Sequence, residues 1–139
     1  MSPASDTPGP EPLLSFIAFD FGTKRIGLAT GNTLTRSAQP LGTLRANATD
    51  DLFFALERLI AEWQPNALVV GVPFHPDGAP HENTARARRF AARLRTRYGR
   101  PVHEVDERYT TTEARSLGAT DLDAASAAII LNQFLSELE

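Results

Sequence analysis

The feature that most constrains this chain's fold is an uninterrupted apolar run, Ala67–Pro73 (ALVVGVP), lying between two helical patterns. A run of strand length with no polar face fits a strand covered on both sides, as in a parallel sheet layered between helices. Upstream, Thr49-Asp50-Asp51 supplies a helix start, with acidic side chains where the helix dipole favours them. Leu52, Leu56, Leu59/Ile60 and Trp63 then recur at helical spacing, so the whole stripe, Trp63 included, is expected in the core, and Pro65 ends the helix. Downstream, 75–80 reads as a loop and Glu82–Tyr98 as a helix with Ala87, Phe90/Ala91, Leu94 and Tyr98 facing inward.

The remaining elements fall around this unit. Phe16–Phe21 is β-prone and apolar except for Asp20; Gly22-Thr23-Lys24-Arg25 makes a tight connection to a hairpin partner, Ile26–Thr30. A third strand is expected around Ala38–Leu44 and a further one over Pro101–Val105. Thr110-Thr111-Thr112-Glu113 fits a capping box opening a short helix, and the last helix is expected from near Asp121–Asp123 to about Glu137, with Ala127, Ile130/Leu131 and Phe134/Leu135 inward. The order β-β-β-α-β-α-β-α-α predicts an α/β fold: a mixed five-stranded sheet, three antiparallel and then two parallel strands, with helices on both faces. Residues 1–13, with Pro3, Pro8, Pro10 and Pro12 among small polar residues, read as a disordered tail, and 14–139 as one domain.

Composition removes several classes of function. The chain has no cysteine, which excludes a disulfide framework and a thiolate metal site. No stretch is apolar enough for a signal peptide or a bilayer span, so a soluble, cytoplasmic protein without a membrane partner is expected. A net charge of −3 argues against binding nucleic acid by bulk electrostatics, but the charge is unevenly distributed. Arg86, Arg88, Arg89, Arg93, Arg95, Arg97 and Arg100 share a window without acids, and Glu104, Asp106, Glu107, Glu113, Asp121 and Asp123 follow. A basic surface beside an acidic pocket suits an enzyme that holds phosphates and binds metal; a solvated arginine face is the commoner origin of such a run.

Asp20 is the sharpest anomaly, since a carboxylate in an apolar strand is costly unless paired, hydrogen-bonded or bound to metal. It is either a ligand or a strand-end residue accepting amide hydrogen bonds from the Gly22 turn. Asp106 and Glu107 close the fifth strand beside Arg108, as ligands or as a surface ion-pair cluster. Asp123 heads the last helix, as a ligand or an N-cap. Two strand ends and a helix can bring such carboxylates to one sheet edge, and oxygen ligands without His or Cys select a hard cation, Mg²⁺ or Mn²⁺. A pair of such ions would activate water against a phosphodiester. Lys24, the one lysine, and Arg25 are placed to contact a substrate phosphate or simply to solvate the hairpin tip. Arg86, Arg89, Arg93 and Arg97 form a helical stripe in which Arg86 alone has an evident i,i+4 partner, Glu82. His75, His81 and His103 share no ligand spacing, and Asp77 is a more distant candidate for substrate contact.

FDFGTKRIGLA (19–29), VGVP followed by DG (70–73, 77–78), VDERYTTTEA (105–114) and DAASAAIIL (123–131) resemble, in the same order, the motifs of the YqgF family of pre-16S ribosomal RNA nucleases, once described as Holliday-junction-resolvase-like. The resemblance implies a ribonuclease H-like fold with a two-metal carboxylate site. It implies Asp20, Glu107 and Asp123 as catalytic ligands, with Asp106 a rival of Glu107. From the residues themselves, Lys24, Arg25, Arg86, Arg89, Arg93 and Arg108 are the expected substrate contacts. The resemblance further implies processing of the 16S ribosomal RNA 5′ end, with structured RNA in a ribosome-associated precursor particle as partner. The chain departs from the family in a short 115–123 segment, which bears on substrate preference. A junction-DNA nuclease, a nucleotide-binding phosphotransferase (suggested by the DFGT turn) and a non-catalytic RNA-binding module of the same fold are the alternatives.

Overall fold

The computed structural model describes residues 13–46, 49–109 and 121–138. Its strands are β1 (Ser15–Phe21), β2 (Arg25–Asn32), β3 (Ala38–Arg45), β4 (Ala67–Val72) and β5 (Val102–Asp106), and its helices are α1 (Thr49–Trp63), α2 (Thr84–Tyr98) and α3 (Leu122–Glu137), with a short 3-10 turn at Glu107–Tyr109. The expected tail, apart from Leu13, and the Thr110–Glu113 capping box lie outside the described residues. The strands form one sheet in the order β3-β2-β1-β4-β5. β1 pairs antiparallel with β2, and β2 with β3; β1 pairs parallel with β4, and β4 with β5. This is the expected mixed sheet.

Successive side chains of a strand leave opposite faces, and β1 obeys that period on both sides. Ile17 and Phe19 join the core beneath α1 and α2, with Leu56, Ile60, Phe90 and Leu94. Phe16 and Ala18 join a second core beneath α3, with Ala127, Ile130, Leu131 and Leu135. β4 is buried along its whole length, as its unbroken apolar run requires. The period therefore puts Asp20 on the α3 face and Phe21 on the α1/α2 face. β3 is an edge strand, which accommodates Pro40, and its register shifts between Leu28 and Ala29 of β2. Among the described residues no helix is long and apolar enough to cross a membrane.

Three local expectations are corrected. Trp63 is not core: it is 41 % exposed, and Phe53 at 5 % is the buried aromatic of α1. Trp63 has the right helical angle but is the last residue of α1, where the chain turns away through Gln64 in the left-handed region (φ 48). α2 begins at Thr84 rather than Glu82, because the Thr84 hydroxyl is used by the preceding loop: it accepts the His81 N–H at 2.7 Å and donates to the Pro73 carbonyl. Arg86 in turn donates to Asn83 Oδ1 at 3.3 Å, and no Glu82–Arg86 ion pair forms among the described residues. Gly99 closes α2 in the left-handed conformation (φ 61), returning its N–H to the Arg95 carbonyl.

Candidate active site

One register row crosses the sheet through Thr43, Gly27, Asp20, Gly71 and Val105. Asp20 thus has a glycine on each neighbouring strand, and each glycine admits something that a side chain would exclude. A Cβ on Gly27 would lie 1.8 Å from the Asp123 carbonyl oxygen, so the start of α3 rests directly on β2. A Cβ on Gly71 would lie 3.1 Å from Glu107 Cγ and Cδ, and 2.5 Å from Ile130 Cδ1. The side chain of Glu107 therefore lies over Gly71, next to Asp20.

How Glu107 gets there is a local matter. Asp106, the last residue of β5, accepts the Arg108 N–H at 3.0 Å and binds the Arg108 guanidinium at 2.7 and 3.0 Å. That Asx-type closure fixes the 3-10 turn and holds Asp106 on Arg108. Glu107 is swung back to hydrogen-bond Asp20. The third carboxylate follows from the helix start. Asp121, not Asp123, is the N-cap of α3: its Oδ1 accepts the Ala124 N–H at 3.0 Å and the Thr43 hydroxyl at 2.7 Å. Asp123, in the first turn, receives Arg25 Nε at 2.8 Å.

The electrostatics follow from this crowding. Burial pushes the Asp20 carboxyl up to about 6; the Glu107 hydrogen bond opposes the rise and the Asp123 charge adds to it. Burial also drives Glu107 up to about 8, helped by the charge of Asp20, by their shared hydrogen bond and by the charge of Asp106. Both effects describe one arrangement, in which Glu107 keeps its proton and donates it to the Asp20 carboxylate. Asp106 is held below the usual carboxylate range chiefly by the Arg108 hydrogen bond. Asp121 is lowered chiefly by the Ala124 N–H.

Among the described residues no three His, Cys, Asp or Glu side chains converge closely enough to hold a metal as they stand. Asp20 and Glu107 point at each other, and Asp123 points at Arg25. The donor chemistry nonetheless fits a hard cation: the two neighbouring carboxyls offer only oxygen, their crowding is relieved by positive charge, and the charge of Asp123 is felt at Asp20.

Basic residues flank this centre on both faces. Lys24, Arg25 and Arg45 line a cavity of about 480 Å³ with Thr43, at the end of the β1–β2 hairpin. Arg86, Arg89 and Arg93 line another of about 380 Å³, against Phe21, Phe53 and Phe90 on the α1/α2 face. Arg108 lies over the Phe74 ring at 5.7 Å in addition to binding Asp106. Asp77 is occupied within its own loop, accepting the Ala79 N–H at 2.9 Å. The roles of Gly27, Gly71, Asp121 and Thr43 are not evident from the sequence alone. Glycines inside otherwise apolar strands were the available signal for the first two.

Solved structures with a similar fold include Thermus thermophilus RuvC, at TM-score 0.56 and 13% identity, with 88% of this chain and 94% of that one covered. RuvC of the same organism bound to a Holliday junction substrate gives TM-score 0.55 at 14% identity, covering 88% and 93%. The chain has the ribonuclease H-like fold. A family model described as "RuvX: Holliday junction resolvase" matches residues 14–137. A protein of Polaromonas sp. called "Putative pre-16S rRNA nuclease" is 61% identical over 126 residues, covering 91% of each chain. One of the same name from Albidiferax ferrireducens is 57% identical over 141 residues, covering 97% of this chain and 90% of its own. This chain belongs to the RuvX family, the YqgF family whose motifs it carries.

Proposed function

We propose that this chain is a metal-dependent endonuclease that processes the 5′ end of pre-16S ribosomal RNA in the cytoplasm, on a ribosome-associated precursor particle. The names of its relatives point to that substrate. The observation that carries the chemistry is the Asp20–Glu107 pair, seated between two glycines with Asp123 at the adjoining helix start.

Asp20, Glu107 and Asp123 would hold Mg²⁺ or Mn²⁺, and the bound ion supplies Lewis-acid stabilisation and a more acidic water. Asp106 contributes by fixing the turn that carries Glu107. Lys24 and Arg25 bind the phosphates flanking the scissile bond, and Arg25 exchanges Asp123 for a phosphate oxygen as substrate arrives. Arg86, Arg89, Arg93 and Arg108 extend the contact with the strand. In the reaction a water oxygen would bond to phosphorus as the bond to the 3′ oxygen breaks, the water losing a proton to solvent and the departing 3′ oxygen taking one up. With a cation held there, Glu107 would release its proton to solvent, leaving both inner carboxylates charged for the chemistry.

A second reading, cleavage of branched DNA, is favoured by the description of the family model. Symmetric cutting of a four-way junction requires two such sites related by a twofold axis. Purified protein incubated with precursor 16S RNA and with a four-way DNA junction, with and without Mg²⁺, separates the readings. Metal-dependent cleavage of the RNA, abolished by Asp20→Asn, is expected. Cleavage of the junction alone favours the second reading. RNA binding without cleavage makes the chain a binding module, and equal cleavage by the variant overturns the site.

A further inference from the structure

The cavity on the α1/α2 face has a composition that the hydrolytic chemistry does not call for. Its floor is aromatic: the partly buried Phe21 presents the accessible ring and packs on Phe90 with ring centroids 5.1 Å apart, while Phe90 and Phe53 lie buried beneath and the Arg97 guanidinium covers the Phe53 ring at 4.5 Å. Its rim is cationic, from Arg86, Arg89 and Arg93 of α2. Arg89 and Arg93 are exposed and form no ion pair among the described residues. Asp50 borders the same stretch of α2 and leaves these two unpaired. A solvated arginine face needs no apolar hollow beneath it, and an apolar hollow for a protein side chain needs no arginine rim. A planar apolar ring beside guanidinium groups matches a nucleobase with its phosphates. The volume, about 380 Å³, lies in the range of pockets that enclose small ligands.

The position of the cavity ties it to the acidic site. Phe21 follows Asp20 directly in β1, so the two side chains leave opposite faces of the same strand end. A nucleic-acid strand crossing that strand end would meet both the carboxylates and the cavity. Resting on the nuclease reading, we propose that the cavity receives one unpaired nucleotide next to the scissile phosphate, its base against Phe21 and its phosphates on Arg89 and Arg93. The enzyme would then require a single-stranded nucleotide beside the bond it cuts. A base held in a duplex cannot enter.

The test uses the full chain carrying Asp20→Asn, without metal, so that binding is read independently of cleavage. A short single-stranded RNA bearing 2-aminopurine is titrated by fluorescence against this protein and against two further variants in the same background. Arg89→Glu/Arg93→Glu reverses the exposed rim, and Ala46→Trp fills the cavity while leaving the arginines. Rim reversal is expected to weaken binding tenfold or more and to flatten the slope of log K against log salt by roughly 1.4, two phosphate contacts on a single strand. Filling is expected to weaken binding with the slope kept, and to leave a blunt RNA duplex unaffected. Thr23→Trp, at an exposed position of the same rim, repeats the filling if Ala46→Trp does not fold. Three results would overturn the proposal: unchanged affinity in the rim and filling variants, equal loss of duplex binding on filling, or saturation of the cavity by AMP or polyglutamate with RNA binding untouched. Cavity-dependent binding by a chain whose wild type cleaves nothing would refute the nuclease reading instead and leave the cavity assignment standing.

Discussion

Two carboxyls buried against one another are costly unless a proton or a cation lies between them. Asp20 and Glu107 use a proton, and the sign of its effect on stability is fixed. Their folded-state pKa values, about 6 and about 8, lie above the ordinary values of 3.8 and 4.5, so the folded chain binds protons more tightly than the unfolded one. That stability is fully present below about pH 4 and is lost as pH rises through about 8. Thermal melting of the metal-free protein should show Tm falling between pH 5 and 8.5, by roughly a few degrees, and Asp20→Asn should flatten the fall. The same variant should lower cleavage by roughly 10²-fold or more, the loss of several kcal/mol of metal-assisted stabilisation. Asp20 was legible in the sequence because a carboxylate inside FIAFDF breaks an apolar run. The choice between Asp106 and Glu107 was not, because strand alternation stops at Asp106 and a turn, closed by Asp106 itself, decides where Glu107 goes.

At the scale of elements, the site exists because α3 and the turn after β5 can descend onto the sheet at two glycines. The two positions should respond differently to the same methyl group. At Gly27 the obstacle is backbone, the Asp123 carbonyl, so Gly27→Ala should lift the start of α3 and cost about 3 kcal/mol, the upper end for overpacking. At Gly71 the tight contacts are side-chain atoms of Ile130 and Glu107, so Gly71→Ala should cost only about 1 kcal/mol while moving Glu107 and lowering activity. Urea unfolding with parallel cleavage assays separates the two. Asp121→Ala should cost about 1 kcal/mol through the lost cap, plus the bond from Thr43. The elements and their order were readable because ALVVGVP, the hairpin and the helical stripes each carry their own period. What escaped was end effects: Trp63 fits the stripe but closes its helix, and Thr84 delays α2 because its hydroxyl serves the loop. Contacts such as Asp121 on Thr43 join residues far apart in sequence, and no local pattern announces them.

For the whole molecule, a net charge of −3 coexists with basic surfaces on either side of an acidic centre. Bulk attraction to nucleic acid is therefore weak, and local phosphate contacts must supply affinity. Lys24→Ala/Arg45→Ala should weaken RNA binding across sequences and reduce the salt slope by roughly 1.4 on single strands. The placement of basic residues around the site could be suspected from the arginine window, but its division between two faces required the sheet. On the proposed function Asp20 and Glu107 would exchange their shared proton for a divalent cation, and calorimetric titration of Mg²⁺ or Mn²⁺ in buffers of different ionisation enthalpy measures that exchange. At pH 7 binding should release about one proton, fading above pH 9, and both binding and release should be lost in Asp20→Asn. Binding with no proton release at pH 7, or equal binding by the variant, would rule out that exchange.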